Sequence, residues 1–303
     1  MRFCAFCALS LCAMIQTNVS AQTVRFSTNV GSFDMVLNPN NDANLQPLVD
    51  NIVAYVGLGR YHFSALNRAA DSNNTDPSDD FVLQMGGFLG FPGTPDLFAD
   101  FTLPVKALEP VVIDADGDGQ VDFSSETNDR GSVSLALTAG NLNSGTNSFF
   151  VNLGDNSFLD GQGFVPFANI ENMDTIDRIM ALTQNDISSD VGEPGNLAFV
   201  DVPVTDDGRM VVVTDVEVVN RDANFSFVGP IATALDLAIR NRSDDSAAGT
   251  GAAASSIRAA MSAGGTISAV PEPGGAVLGC FGMWILSCLG RRKIAKNGRM
   301  VRN

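Results

Sequence analysis

Asp114, Asp116, Asp118 and Asp122 stand at alternate positions of one run, DADGDGQVD, with Gly119 at its sixth place. Oxygen ligands spaced in this way around a tight glycine turn suit a hard cation such as calcium. The twelfth place holds Ser125 instead of a bidentate glutamate, Glu126 comes one residue late, and the flanks at 110–113 and 121–123 read as extended. The run is therefore either a calcium loop or a solvated acidic turn. A second set of residues needs no metal: the apolar side chains Phe150, Phe158, Leu159 and Phe164 suit a small outward-facing pocket. Covalent chemistry is poorly served. His62 is the only histidine and no Gly-x-Ser-x-Gly elbow occurs, which argues against a Ser-His-Asp hydrolase. No phosphate loop or dinucleotide fingerprint is present.

The elements that must position these residues are mostly strands. Thr23–Thr28 and Ser32–Leu37 predict a hairpin around Asn29-Val30-Gly31. Ser132–Leu137 alternates, with Val133, Leu135 and Leu137 on one face and Ser132, Ser134 and Ala136 on the other, the period of a half-buried strand. In Ser148–Val151 the adjacent Phe149 and Phe150 must point to opposite faces, so one enters the core and the other needs cover outside. An Asp160-Gly161 turn feeds Phe164–Phe167, and Leu197–Val204 and Arg209–Val219 read as closing strands about Asp206-Asp207-Gly208. Two helices are expected. Leu45, Leu48, Val49, Ile52, Val53 and Val56 form one stripe over Asn44–Val56, with Asn44 as cap, and Met173, Ile176, Ile179 and Met180 mark a shorter helix over Met173–Thr183. A further helix is expected within Asn224–Arg242.

The two ends read differently from the middle. Met1–Ala21 has one basic residue, an apolar run and the small-residue pattern Val19-Ser20-Ala21, which predicts a secretory signal peptide cleaved before Gln22. Ser243–Ala269 is an Ala/Gly/Ser linker. Gly274–Gly290 is an apolar run followed by Arg291-Arg292-Lys293; at 1.5 Å per residue it spans roughly 26 Å, barely a bilayer. Together with Val270-Pro271-Glu272-Pro273 this order resembles the PEP-CTERM sorting signals, which implies an exosortase-type processing enzyme as partner and membrane contact through the C-terminal helix; a plain single-span anchor is the alternative. Cys4, Cys7, Cys12, Cys280 and Cys288 all lie in these ends, so the exported part has neither a disulfide nor a cysteine zinc site. Seven of the 18 basic residues lie there too, leaving 11 against 34 acidic residues in 22–290, a formal charge of −23. Such a surface argues against nucleic acid and anionic lipid as partners.

The order of pieces in the middle resembles the cyclophilin family of peptidyl-prolyl isomerases. Arg130–Ala136, Asn147–Asn152, Phe158-Leu159-Asp160, Phe167–Ile170 and Asn172-Met173 follow in family order and spacing. Tyr61–Arg68 is similar to the family's Y-x-G-T-x-F-H-R, and Phe81–Phe88 to F-M-I-Q-G-G-D-F, with 12 intervening residues, Asp- and Asn-rich, that imply an enlarged loop. The resemblance implies a mainly β fold: a closed antiparallel eight-stranded barrel capped by two α-helices, over a domain of residues 22–220, with 221–269 as helix and linker and 270–303 as the sorting tail. It implies that Arg68 is catalytic and faces an open groove outside the barrel. Phe81, Val82, Gln84, Ala136, Leu137, Phe150, Phe158, Leu159 and Phe164 would bind substrate, a proline-containing polypeptide. No cofactor is required, calcium in the acidic loop aside. The chain departs from the pattern at Leu66 and Asn67 (Phe-His), Met85 (Gly) and Ser148 (Gln). The reading is thus an exported isomerase of the cell envelope or exterior; the alternative is a cyclophilin-fold peptide-binding module with little catalysis.

Overall fold

In the computed structural model, residues 21–70, 80–90, 104–123, 126–221 and 225–234 are described. Alternating apolar residues give β1 (Thr23–Thr28) and β2 (Ser32–Leu37), where Val24, Phe26, Phe33, Met35 and Leu37 turn inward. Thr28 closes their turn, its hydroxyl donating to the Gly31 carbonyl and accepting from the amides of Val30 and Gly31. The remaining strands of the main sheet are β3 (Ser64–Ala70), β4 (Val82–Leu89), β5 (Ser132–Leu135), β6 (Phe149–Asn152), β7 (Pro166–Ile170) and β10 (Val213–Val218). They pair antiparallel in the order β10-β1-β2-β7-β5-β6-β4-β3. The two end strands then meet: the amides of Phe63 and Leu66 donate to the carbonyls of Val213 and Val211, at 2.8 and 3.0 Å. The result is a nearly closed eight-stranded barrel, as the resemblance implied.

Its interior is aromatic. Phe26 stacks on Phe33 at 5.3 Å and meets Tyr61 and Phe149 edge-on, and Tyr61 meets Phe149 at 89°. Helix α1 (Gln46–Gly57) buries Leu48, Val49, Ile52, Val53 and Val56 in the same core, with Pro47 in its first turn where a missing N–H costs nothing. The cap expected at Asn44 is instead Asp42, whose carboxylate accepts from the Asn44 amide at the head of a 3-10 turn, Ala43–Leu45. Burial pushes the Tyr55 hydroxyl up to about 12 while it accepts from the Leu108 amide. Helix α2 (Asp174–Met180) adds Ile176, Ile179 and Met180.

Several elements differ from the sequence reading; the closing strand expected over Arg209–Val219, for one, begins only at Val213. Helix α2 ends at Met180, and Thr183 enters β8 (Thr183–Asn185), where a β-branched residue loses less freedom. Leu197–Val204 is no barrel strand. A 3-10 turn, Leu197–Phe199, capped by Asn196, precedes β9 (Val202–Val204), which pairs with β8 in a separate two-stranded sheet. Strand β5 stops at Leu135 and is buried on both faces, because Ser132 and Ser134 are covered by other polar side chains. Past Val218 the chain stays attached: Phe225 and Phe227 pack on the core, Phe227 lies against Gly57, and residues 228–234 are helical.

Gly86 marks the tightest crossing of the sheet. Its φ is +85°, and a Cβ there would stand 2.6 Å from the Asn147 carbonyl oxygen and 3.0 Å from the Tyr61 ring. Gly86→Ala is expected to cost about 2–4 kcal/mol, combining backbone strain with overpacking. An unchanged urea midpoint would refute this.

The signal-peptide, sorting-signal and apolar-tail segments lie outside the described residues, as does the enlarged loop at 71–79. Among the described residues no helix is long and apolar enough to cross a membrane.

Candidate active site

Pairing register brings distant residues of one face into a row. Arg68 of β3 opposes Gln84 of β4, Gln84 opposes Phe150 of β6, and Phe150 opposes Ser134 of β5. Period two puts this row outside the barrel, while Leu83, Phe149, Val151 and Val133 fill its interior. A bulge makes the alignment: Leu66 opposes Met85 and Arg68 opposes Gln84, so Asn67 is an extra residue on β3. Without it the register would slip by one and Arg68 would turn the other way.

The apolar candidates gather beside the row. Phe164 meets Phe150 edge-on at 5.6 Å, and Phe158 stacks on Phe81 at 5.8 Å. Leu159 is buried next to them in sequence, and Val82 opposes Asn152 one pair along. The amide of Gln84 donates to the Ser148 hydroxyl at 3.1 Å, so the residue that departs from the family pattern serves as its partner. Ala136 and Leu137 lie past the end of β5. The Ala136 amide is taken by the Ser148 carbonyl, and Leu137 packs with Leu48, Val111 and Val165 about a small apolar gap.

An open groove at Arg68 is not what the structure has. Arg68 is 4% exposed, Gln84 2% and Phe150 1%. Part of the reason is the turn Leu197–Phe199 and its exit, which lie along β3: the Ala69 amide donates to the Asp201 carbonyl at 2.7 Å and the Asn67 side chain to the Ala198 carbonyl at 3.1 Å. Burial lowers the Arg68 pKa from the usual guanidinium value, and the negative charge of Asp201 opposes that shift. Among the described residues the Arg68 Nε–H has no hydrogen-bond partner.

These apolar candidates are packed and not open, with Phe81, Phe150, Leu159 and Phe164 all buried, and beside them runs a network that sequence reading did not find. The Asn128 amide donates to the Phe164 carbonyl (2.8 Å) and to Asp160 Oδ1 (2.7 Å), and its oxygen accepts from the Ser134 hydroxyl and the Asn152 amide. The Asn156 amide donates to Asn152 Oδ1 and to the Phe81 carbonyl, both at 2.9 Å. Asn128, Asn152 and Asn156 are at most 4% exposed. Asparagines with scattered spacing read as loop residues in a sequence; only the fold brings them together.

The acidic loop is separate from this site. Asp114, Asp116 and Asp122 bring carboxylate oxygens within 4.8 Å of one another; Asp118 is not in that cluster and accepts from the Gln120 amide. Asp114 is buried and accepts from the amides of Gly117 and Gly119. The Asn143 side chain ties the loop to the chain beyond Leu137, accepting from the Ile113 and Asp114 amides and donating to the Asp114 carbonyl. His62 sits apart from both, paired with Asp215 at 3.1 Å.

Residues 23–196 match the model of the family described as "Cyclophilin type peptidyl-prolyl cis-trans isomerase/CLD". Peptidyl-prolyl cis-trans isomerase cyp18 of Streptomyces antibioticus is 31% identical over 165 residues, 52% of this chain and 82% of that protein. Peptidyl-prolyl cis-trans isomerase A of Dickeya dadantii (strain 3937) is 30% identical over 161 residues, 52% of this chain and 70% of that one. A crystal structure of a Cryptosporidium parvum cyclophilin type peptidyl-prolyl cis-trans isomerase aligns with a TM-score of 0.40 and 15% identity, covering 67% of this chain and 99% of that one. The same protein in the presence of the dipeptide Ala-Pro aligns with a TM-score of 0.40 and 14% identity, over 66% and 100% of the two chains. With the family model matching more than half its length, the chain belongs to the cyclophilin-type peptidyl-prolyl cis-trans isomerase family.

Proposed function

We propose that this isomerase acts on exported polypeptides in the cell envelope or outside the cell, with Arg68 as its catalytic residue. The observation that carries the assignment of Arg68 is the register that sets it beside Gln84 and Phe150 on one outer face. Amide resonance sets the barrier to X-Pro rotation near 18–20 kcal/mol, and uncatalysed exchange takes tens to hundreds of seconds. The reaction needs neither nucleophile nor metal. It needs a pocket that holds the ring while the C–N bond twists, and a donor that favours the imide nitrogen once its lone pair leaves conjugation. Phe150, Phe164, Phe158, Leu159, Phe81 and Val82 supply the apolar surface. The Arg68 guanidinium, charged at any physiological pH, supplies the donor, and Gln84 holds the peptide backbone. The test is NMR exchange spectroscopy on an X-Pro peptide with catalytic amounts of the protein; cis–trans exchange at background rate would overturn the assignment. The burial of Arg68 favours a second reading, a peptide-binding module with little catalysis, for which the peptide binds yet exchange stays at background.

Export is supported by the signal-like Met1–Ala21, and an exosortase-type processing step by Val270–Pro273 with the apolar run and basic tail behind it. Intact mass of the protein recovered from its cell envelope checks both cleavages; an untrimmed chain would refute them. Calcium binding by the acidic loop is likewise proposed, now on Asp114, Asp116 and Asp122 without Asp118. Millimolar calcium is expected to raise the melting temperature and Asp116→Ala to abolish the rise. No shift with calcium would leave the loop a solvated turn.

A further inference from the structure

The two neighbours of Arg68 are both bonded to one short segment. We propose that Asn67 and Asp201 are positioning residues that hold the Arg68 guanidinium at the reacting bond, an inference that rests on the reading of Arg68 above.

Asn67 is the extra residue of the β3 bulge and is fully buried. Its amide nitrogen donates to the Ala198 carbonyl, while its side-chain oxygen has no partner among the described residues. A buried acceptor left unsatisfied is costly, so an apolar residue of similar size would pack there more favourably. What the amide contributes is its one bond across to Ala198. On the other side of Arg68, the Ala69 amide donates to the Asp201 carbonyl at 2.7 Å. Residues 67 and 69 are thus tied to positions 198 and 201, and the backbone of Arg68 is clamped between them.

The clamp is itself anchored, and not through the main core. Ala198, Phe199 and Val202 form a satellite core with Ala65, Phe88, Ile187, Met210 and Val212. Phe199 meets Phe88 edge-on at 4.8 Å, and the Ile187 amide donates to the Phe199 carbonyl. The same segment brings a charge. Asp201 is half-buried, and its negative charge favours the buried Arg68 cation. Among the described residues the Nε–H of Arg68 has no hydrogen bond, so the geometry that holds the arginine is its backbone, clamped on both sides. A donor held in place before the bond twists needs no reorganisation during the reaction, which is where such groups gain their effect. An Arg68 free to swing would spend part of its time elsewhere, lowering the rate and leaving peptide affinity to the phenylalanine pocket.

The test uses the full chain, the same X-Pro exchange measurement, and the parent and Arg68→Ala as references. Asn67→Ala is expected to lower exchange at saturating peptide about tenfold, with the peptide Kd within about twofold of the parent. The Arg68 Nε–H resonance should shift and exchange faster with solvent. Asp201→Asn keeps the backbone bond to Ala69 and removes the negative charge; it is expected to lower exchange about threefold at unchanged Kd. A folded Asn67→Ala with parental exchange and an unmoved Nε–H resonance overturns the proposal. So does a fall in rate matched by an equal loss of affinity, the sign of a general structural effect. If Asn67→Ala does not fold, Asp201→Asn decides alone, and parental or faster exchange refutes the role. Should Arg68→Ala itself exchange like the parent, the assignment of Arg68 fails first and the positioning role falls with it.

Discussion

Arg68→Ala is expected to reduce catalysed cis–trans exchange about a hundred- to a thousandfold, the usual loss when one preorganised donor is removed. The apolar pocket remains, so the peptide should still bind with little change in Kd. Arg68→Lys is expected to lie near the alanine variant, because an ammonium on a flexible stem cannot reproduce the planar fork. The burial of Arg68 alters what the variant does to folding. An exposed arginine could be removed at almost no cost, but this one is 4% exposed, and its removal leaves a gap and takes away a positive charge that the field of Asp201 favours. A loss of about 1–3 kcal/mol is expected, small enough to assay the protein well below its melting temperature. Chemical denaturation run beside the exchange assay separates the two effects. If folded Arg68→Ala keeps the parental exchange rate, the donor lies elsewhere.

Asn128→Ala is expected to be the most damaging substitution of a polar residue for the fold. It strips the Phe164 carbonyl and Asp160 of a donor, and Ser134 and Asn152 of an acceptor, in a region closed to water. Each buried group left unpaired costs about 1–3 kcal/mol, but Asn152 keeps Ser132 as a partner and Asp160 is only half-buried, so a total near 2–4 kcal/mol is expected. The second expected effect is on binding. Asn128 links β5 and β6 to the segment carrying Leu159 and Phe164, so peptide affinity should fall along with stability. This sets it apart from Asn67, whose loss should affect rate and spare affinity. A parental urea midpoint together with parental Kd would show that the network is not what holds the pocket.

Much of the barrel was readable because its causes are local. Period-two alternation in Thr23–Thr28 and Ser32–Leu37 gave β1 and β2 to the residue, and the apolar stripe from Leu45 to Val56 gave α1 to within about one turn. The opposed directions of Phe149 and Phe150 follow from strand geometry alone, and the structure bears them out: Phe149 enters the aromatic core and Phe150 is covered by Phe164. Misreadings fell where partners are distant. Nothing within Leu197–Val204 says that it will turn, pair with β8 and lie along β3 instead of closing the barrel, because β-branched runs suit any strand that finds an edge.

By itself, the sequence determined the strand-rich class, the two apolar-striped helices, the cysteine-free acidic middle and the order of motifs that carries the family resemblance. Those properties depend on residue type and on spacing within a few positions. Tertiary structure alone decided that a one-residue bulge at Asn67 turns Arg68 to the face of Gln84 and Phe150. It also decided that three scattered asparagines become one buried network, that Arg68 is buried against the Asp201 segment, and that Asp118 stands outside the carboxylate cluster. The physical reason is common to all four. Register and burial are set by which strand edges and side chains meet across the whole chain, and pairings over such distances leave no mark in local spacing.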